Sequence, residues 1–459
     1  LKDAGDLPVA MPDQAVIRGR QPITVDVLAN DTDPLGGLLT VQNASGKGDD
    51  LEVAVIKGRW LRIVPQVDEL KPNPQALTYT ITNGQESATG SVVITWLEAL
   101  TEDEPLVRED AAIVRAGDST LIPVLANDTT RGGATLSLDT NVQGAPAVGQ
   151  LLALTSAGDQ VGSAFVVGNQ VRYLAPASVD TPTEVNITYY ALADGQSPTA
   201  GQAKVTVKPE PSDKPPLNLP PEPESIEARA TAGDTITIPI RPSGQDPDGD
   251  SITLLGLAKA PQLGRVIDLT PRGITYQAFP TDDSIGTDTF EFSVADRYGE
   301  KGKGTVRVAV VPPGQTQVPV PVDDTLKARP GATVRVDAIA NDLIAMSDEV
   351  TIKALKSAGG VNPELKGDRG PISLVAPDNG RSISLNYQLR GNGGDSPPGT
   401  VTIEGEDGYV NPPRLHDQLA TTSDGKTATV DLLTDAWDPD SDGGLEVTRV
   451  SEPTATLAG

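Results

Sequence analysis

Apolar side chains in this chain recur at every second position of short segments, and Gly, Pro, Asn and Asp separate the segments. The clearest runs carry an aromatic residue at the centre: Leu77-Thr-Tyr79-Thr-Ile81, Ile187-Thr-Tyr189, Phe290-Glu-Phe292-Ser-Val294 and Leu385-Asn-Tyr387-Gln-Leu389. Each is followed by a second alternating run, at Ser91–Thr95, Lys204–Val207, Thr305–Val308 and Thr400–Ile403. A period of two places the apolar members on one face and Thr, Lys, Arg or Glu on the other, which predicts strands with one buried side. Turn pairs such as Asn83-Gly84 and Asp194-Gly195 make hairpins of them. Near the N-terminus, strands are predicted around 15–18, 22–28, 38–42, 51–57, 60–64, 76–82 and 90–97. Neither sheet of such a set can hide its apolar face alone, so a two-sheet sandwich follows.

The set repeats. An apolar strand ending in an aspartate-rich turn occurs at Val25–Asp31 (continuing to Asp33-Pro34), Ile122–Asp128, Ile238–Asp250, Val336–Asp342 and Val430–Gly443. Five units follow, with expected bounds of 5–99, 103–209, 225–312, 316–405 and an incomplete 409–459. Residues 210–224, rich in proline, form the expected linker, a semi-rigid polyproline II spacer. The last unit has early strands without an aromatic-centred one, so fraying or borrowed packing is expected there. The fold class is all-β: a tandem, elongated array of two-sheet β-sandwiches, each touching mainly its sequence neighbours.

Composition narrows the function. A chain of 459 residues exceeds one sandwich core. With 63 acidic against 36 basic residues, the formal charge of -27 repels nucleic acid and anionic membranes and attracts divalent cations. There is no cysteine, hence no thiol chemistry. No apolar run approaches the ~20 residues that cross a bilayer. The opening Leu1-Lys2-Asp3 reads as part of a longer polypeptide whose export signal and anchor lie elsewhere.

Calcium is the sharpest chemical candidate. Alternating carboxylates at Asp246, Asp248 and Asp250, and again at Asp438, Asp440 and Asp442, could turn several oxygens toward one hard cation. The competing reading is that these aspartates close their turns by accepting backbone N–H bonds, since Asp128-Thr-Thr and Asp342-Leu-Ile keep the turn with few carboxylates. An EF-hand is rejected, because the twelfth positions are Leu257 and Arg449 rather than glutamate. His416 is the only histidine, which removes a catalytic triad and multi-histidine metal centres. Trp60, Trp96 and Trp437 occupy unrelated positions, so each is expected to pack locally rather than build a sugar platform. A Lys–Asn crosslink would need Lys, Asn and a buried acid side by side, whereas Lys204 on its alternating strand looks outward.

The turns Ala29-Asn30-Asp31-Thr32-Asp33-Pro34 and Asp246-Pro-Asp-Gly-Asp250 resemble those of the cadherin-like and immunoglobulin-like tandem repeats of large bacterial surface proteins and adhesins. The resemblance implies an extracellular or cell-surface setting, a spacer and binding role without catalysis, and a protein or glycan partner. By the same analogy Asp31 and Asp33 would join a calcium site in the first unit. The alternative role is a carbohydrate- or protein-binding accessory region attached to an enzyme elsewhere in the polypeptide.

Overall fold

The computed structural model describes residues 7–450 except 46–49, 143–144, 146, 194–195, 212–217, 271–272, 313–317, 343, 345–349, 358–361, 412, 416–417, 419–425, 435, 440–443 and 449. The described residues hold one 3-10 turn, Asp282–Ser284, and no α-helix.

Unit one has all seven expected strands. Asp13–Arg18, Ser87–Leu97, Gln75–Thr82 and Thr40–Ser45 lie side by side in one sheet; Ile23–Asp26, Trp60–Pro65 and Leu51–Ile56 form the other. The first strand runs parallel to the last, with Asp13 opposite Val92, while the neighbouring pairings are antiparallel. Units three and four repeat the four-plus-three arrangement, and unit two adds short strands to both sheets. Alternation carries each strand: in Thr183–Ala193 the side chains of Val185, Ile187, Tyr189 and Ala191 are buried and those between them are not. Four separate apolar cores result, one in each of the first four units. The described residues of the fifth unit have no such core; a bridge between Arg414 and Trp437 ties two of its segments.

One detail recurs in every complete unit. The central aromatic lies directly across from a glycine on the last strand: Tyr79 opposite Gly90, Tyr189 opposite Gly201, Phe292 opposite Gly304 and Tyr387 opposite Gly399. A Cβ on Gly90 would sit 2.2 Å from the Tyr79 ring, and one on Gly304 would sit 2.1 Å from Phe292. The glycine is there because the ring occupies the place of its side chain.

Where the aromatic is tyrosine, its hydroxyl is pinned by the aspartates of the repeat. Tyr79 donates to Asp13 at 2.8 Å and lies 3.2 Å from Asp31; Tyr189 does the same with Asp128 at 2.9 Å and Asp110 at 3.1 Å; Tyr387 donates to Asp342 at 2.7 Å. The same turn aspartate accepts a backbone N–H twenty residues upstream, from Met11, Arg108 and Val322, each at 2.7 Å. In unit three Phe292 has no hydroxyl, the Asn-Asp turn is missing, and the strand that opens the unit, Ile226–Thr231, has no aspartate. Loss of the donor and loss of its acceptors go together within one chain.

Two expectations are modified. Residues 218–224 of the expected linker join unit three: Leu219 N donates to Asp248, Asn218 to Asp296, and Glu222 N to the Gln245 carbonyl. Contact is also not confined to sequence neighbours, because Leu38 N of unit one donates to Thr287 Oγ1 of unit three at 2.8 Å.

Filling the slot under the ring tests the first feature: Gly90→Ala should lower the stability of unit one by about 2 kcal/mol through overpacking, read as a lower midpoint in denaturant unfolding. The pins generate a pH prediction. Burial, reinforced by the neighbouring Asp342 carboxylate, raises Asp324 to about 7, and burial raises Asp110 and Asp342 to about 6. These groups bind protons more tightly folded than unfolded, so their contribution is present at low pH and is lost as pH rises from about 4 to about 7. The melting temperature should therefore be higher at pH 5 than at pH 8, and Asp324→Asn should flatten that slope.

Candidate functional site

The aspartate loop of unit three sits on the end of unit two. Gly249 adopts φ +82, and a Cβ there would lie 2.6 Å from the Val114 backbone, so only glycine lets the loop approach so closely. Arg115 N donates to Gly249 O at 3.0 Å, which fixes the loop against unit two's first strand, Asp110–Arg115. Within the loop Asp246 Oδ1 accepts the N–H groups of Asp248 at 2.7 Å and Asp250 at 3.4 Å, an Asx turn of the kind the sequence allows.

The other carboxylates face cations of unit two. Arg115 holds Asp250 through Nε at 3.1 Å and Nη2 at 2.8 Å, and the same Nη2 lies 3.2 Å from Asp248. Lys208 donates to Asp248 at 3.0 Å and to the Pro247 carbonyl at 2.8 Å. Burial by itself would raise Asp248, but the Leu219 N–H, Lys208 and Arg115 hold it below the ordinary carboxylate range. In the reverse direction Arg297 of unit three donates to Ala116 O at 3.2 Å and lies 3.8 Å from Asp118, whose carboxylate also accepts the Ser251 N–H at 2.8 Å. Arg115 and Arg297 lie over the ring of Tyr298, 5.7 Å and 5.0 Å from its centre. Side-chain exposure is 6% for Arg115 and 0% for Asp250, so this network is interior to the joint.

The expected ligands therefore divide. Asp246 and Asp250 come together with Asp296, a residue the sequence did not single out, and one oxygen from each lies within 4.8 Å of the others. Asp248 turns away toward Lys208. Asp246 Oδ2 is buried without a hydrogen-bond partner, and burial raises its carboxyl to about 6. A free carboxylate oxygen beside two more carboxylates suits a hard cation such as calcium. Of the second set, Asp440 and Asp442 lie outside the described residues, and Asp438 is half-buried. In unit one Asp31 serves the tyrosine pin, while Asp33 closes its own turn by accepting from Leu35 N, Gly37 N and Asn83.

The remaining candidates fall into place. His416 lies outside the described residues. Trp96 donates to Gly19 O at 2.9 Å, and Trp60 and Trp437 lie under the neighbouring Arg59 and Arg414, each 5.4 Å away. Lys204 points outward and pairs with Glu184 at 3.0 Å. Arg115, Lys208 and Arg297, which build the joint, were missed by sequence reasoning: basic residues at strand ends were visible, but not the partners they meet.

Comparison with known proteins bears on two of the units. Residues 5–95 and 218–309 each match the model of the bacterial Ig domain. No curated protein matches the chain significantly. Among solved structures, the insect immune protein hemolin is 10% identical over 87% of this chain and 99% of its own, with a TM-score of 0.26. The four N-terminal Ig domains of Dscam1 are 8% identical over 86% and 98%, with a TM-score of 0.27. An endo-fucoidan hydrolase of glycoside hydrolase family 107 is 13% identical over 67% of this chain, which spans only 44% of that enzyme, with a TM-score of 0.20. The described residues contain no helix long and apolar enough to cross a membrane. Units one and three each match the bacterial Ig domain, and the chain is a tandem array of Ig-like β-sandwiches.

Proposed function

We propose that this chain is a structural and adhesive repeat region of a secreted or surface-displayed bacterial protein, in which small sandwiches in series hold binding surfaces for a protein or glycan at set positions. The observation that carries this reading is the joint between units two and three. A passive string of beads has no use for burying Arg115 and Arg297 with Asp246, Asp248, Asp250 and Asp296, because desolvating charge is costly and the return is a fixed geometry rather than stability. The long acidic surface keeps neighbouring copies apart.

The joint is tested by unpairing it. Arg115→Met leaves Asp250 and Asp248 short of a partner and should cost about 3 kcal/mol of the coupling between the two units, seen as separation of their unfolding transitions in calorimetry. Arg115→Met combined with Asp250→Leu should recover most of that loss. An unchanged transition in the single variant would mean that the joint is solvated and the units move independently.

Calcium belongs to the same proposal, with Asp246, Asp250 and Asp296 as ligands and the free Asp246 Oδ2 as the support. Arg115 already shares Asp250, so affinity should be in the ~0.1–1 mM range of extracellular modules. Millimolar calcium should raise the melting temperature at pH 7.5, the rise should fade as pH drops through about 6 and Asp246 takes up a proton, and Asp246→Asn should abolish it. A rise that persists in that variant would remove these ligands.

A further inference from the structure

The last strand of unit three, Lys301–Val311, breaks its alternation at the end. Val306, Val308 and Val310 face their own core, yet Ala309 and Val311, on the opposite face, are 1% and 4% exposed and take no part in that core. In unit one the residue the same distance past the ring-bearing glycine, Leu97, is 38% exposed. Something covers this outer face in unit three.

The cover is the tip of unit one. Pairing register places Arg229, Ala309 and Thr287 in one row across three neighbouring strands, with Glu227 and Arg307 in the next row. Leu38 N donates to Thr287, Arg229 Nε donates to Leu39 O at 2.9 Å, and Arg307 donates to Gly36 O. Glu227 sits among Arg59 of unit one, 3.7 Å away, and Arg229 and Arg307 of its own unit, 3.9 Å each. Leu38 is 6% exposed but absent from its own unit's core, as expected of a side chain buried against another unit. Gly84 completes the fit: at φ +97, a Cβ would lie 2.7 Å from Ile285 and 3.0 Å from Val310 O.

We infer that this face is an intramolecular latch whose partner is unit one of the same chain, so that units one to three close on themselves and lengthen when the latch opens. Its composition makes it reversible. Two of its four polar contacts go to backbone carbonyls, and the Arg229 guanidinium is buried at 8% exposure, so its desolvation offsets much of the gain. Opening re-solvates that guanidinium and frees the charge cluster around Glu227, so raised ionic strength and tension both favour the open form. The latch is independent of the joint between units two and three, whose residues it does not share.

The cysteine-free chain allows a direct test. Spin labels at Asp68→Cys in unit one and Lys301→Cys in unit three, both exposed and away from the latch, report the separation of the two units. The parent should show a single narrow distance distribution that shifts to longer, broader distances in Arg229→Glu/Arg307→Glu. Because those side chains face away from the unit-three core, its unfolding transition should stay in place. Gly84→Asn is a second opener: asparagine tolerates a positive φ, and its side chain would strike Ile285. A distribution unaltered in both variants, or already broad in the parent, overturns the latch.

Discussion

Each complete unit is organised around one aromatic ring lying across a glycine of the neighbouring strand. In a sandwich of this size the interior is only two side chains deep, and the ring can reach the middle only if the facing position gives up its Cβ. Tyr79, Tyr189, Phe292 and Tyr387 all take this place, and the rest of each core closes around them. Three of the four bring a hydroxyl into the interior, and that group needs an acceptor. The turn aspartate supplies it while also tying the entering chain through a backbone N–H. Burying the ring thus accounts for the glycine, burying the tyrosine hydroxyl accounts for the Asn-Asp turn, and in units one and two it also accounts for the aspartate on the first strand.

Unit three shows what happens when the requirement is lifted. With Phe292 in the ring position its aspartate loop has no hydroxyl to serve, and the loop faces outward onto unit two. There the carboxylates meet Arg115 and Lys208, and Arg297 reaches back across the same boundary. Buried ion pairs add little net stability, but they tolerate few alternative arrangements, which is what a joint of defined angle needs. Among the described residues of the joint, Asp246 Oδ2 is left buried without a hydrogen-bond partner.

The fold was legible because its signal is local. Period-two alternation and turn residues located every strand of unit one. The aspartates themselves were half legible: their spacing allowed either a cation or a turn, and Asp33 and Asp246 do close turns while Asp31 binds a tyrosine distant in sequence. The joint was illegible because Arg115 and Asp250 are 135 residues apart, and nothing in either neighbourhood names the other. The buried outer face of unit three left a trace, the unbroken apolar run Val308-Ala309-Val310-Val311, whose meaning depends on a neighbour that sequence does not place.

A fixed arrangement of units two and three requires that the backbone be locked where they meet. Native-state hydrogen exchange on the intact chain reads this at the Arg115 amide, which donates to Gly249 O, and at the Ser251 amide, which donates to Asp118. Protection of both amides approaching that of the central strand Thr183–Ala193 is the predicted result; exchange at the rate of an open loop would show that the two sandwiches are merely tethered.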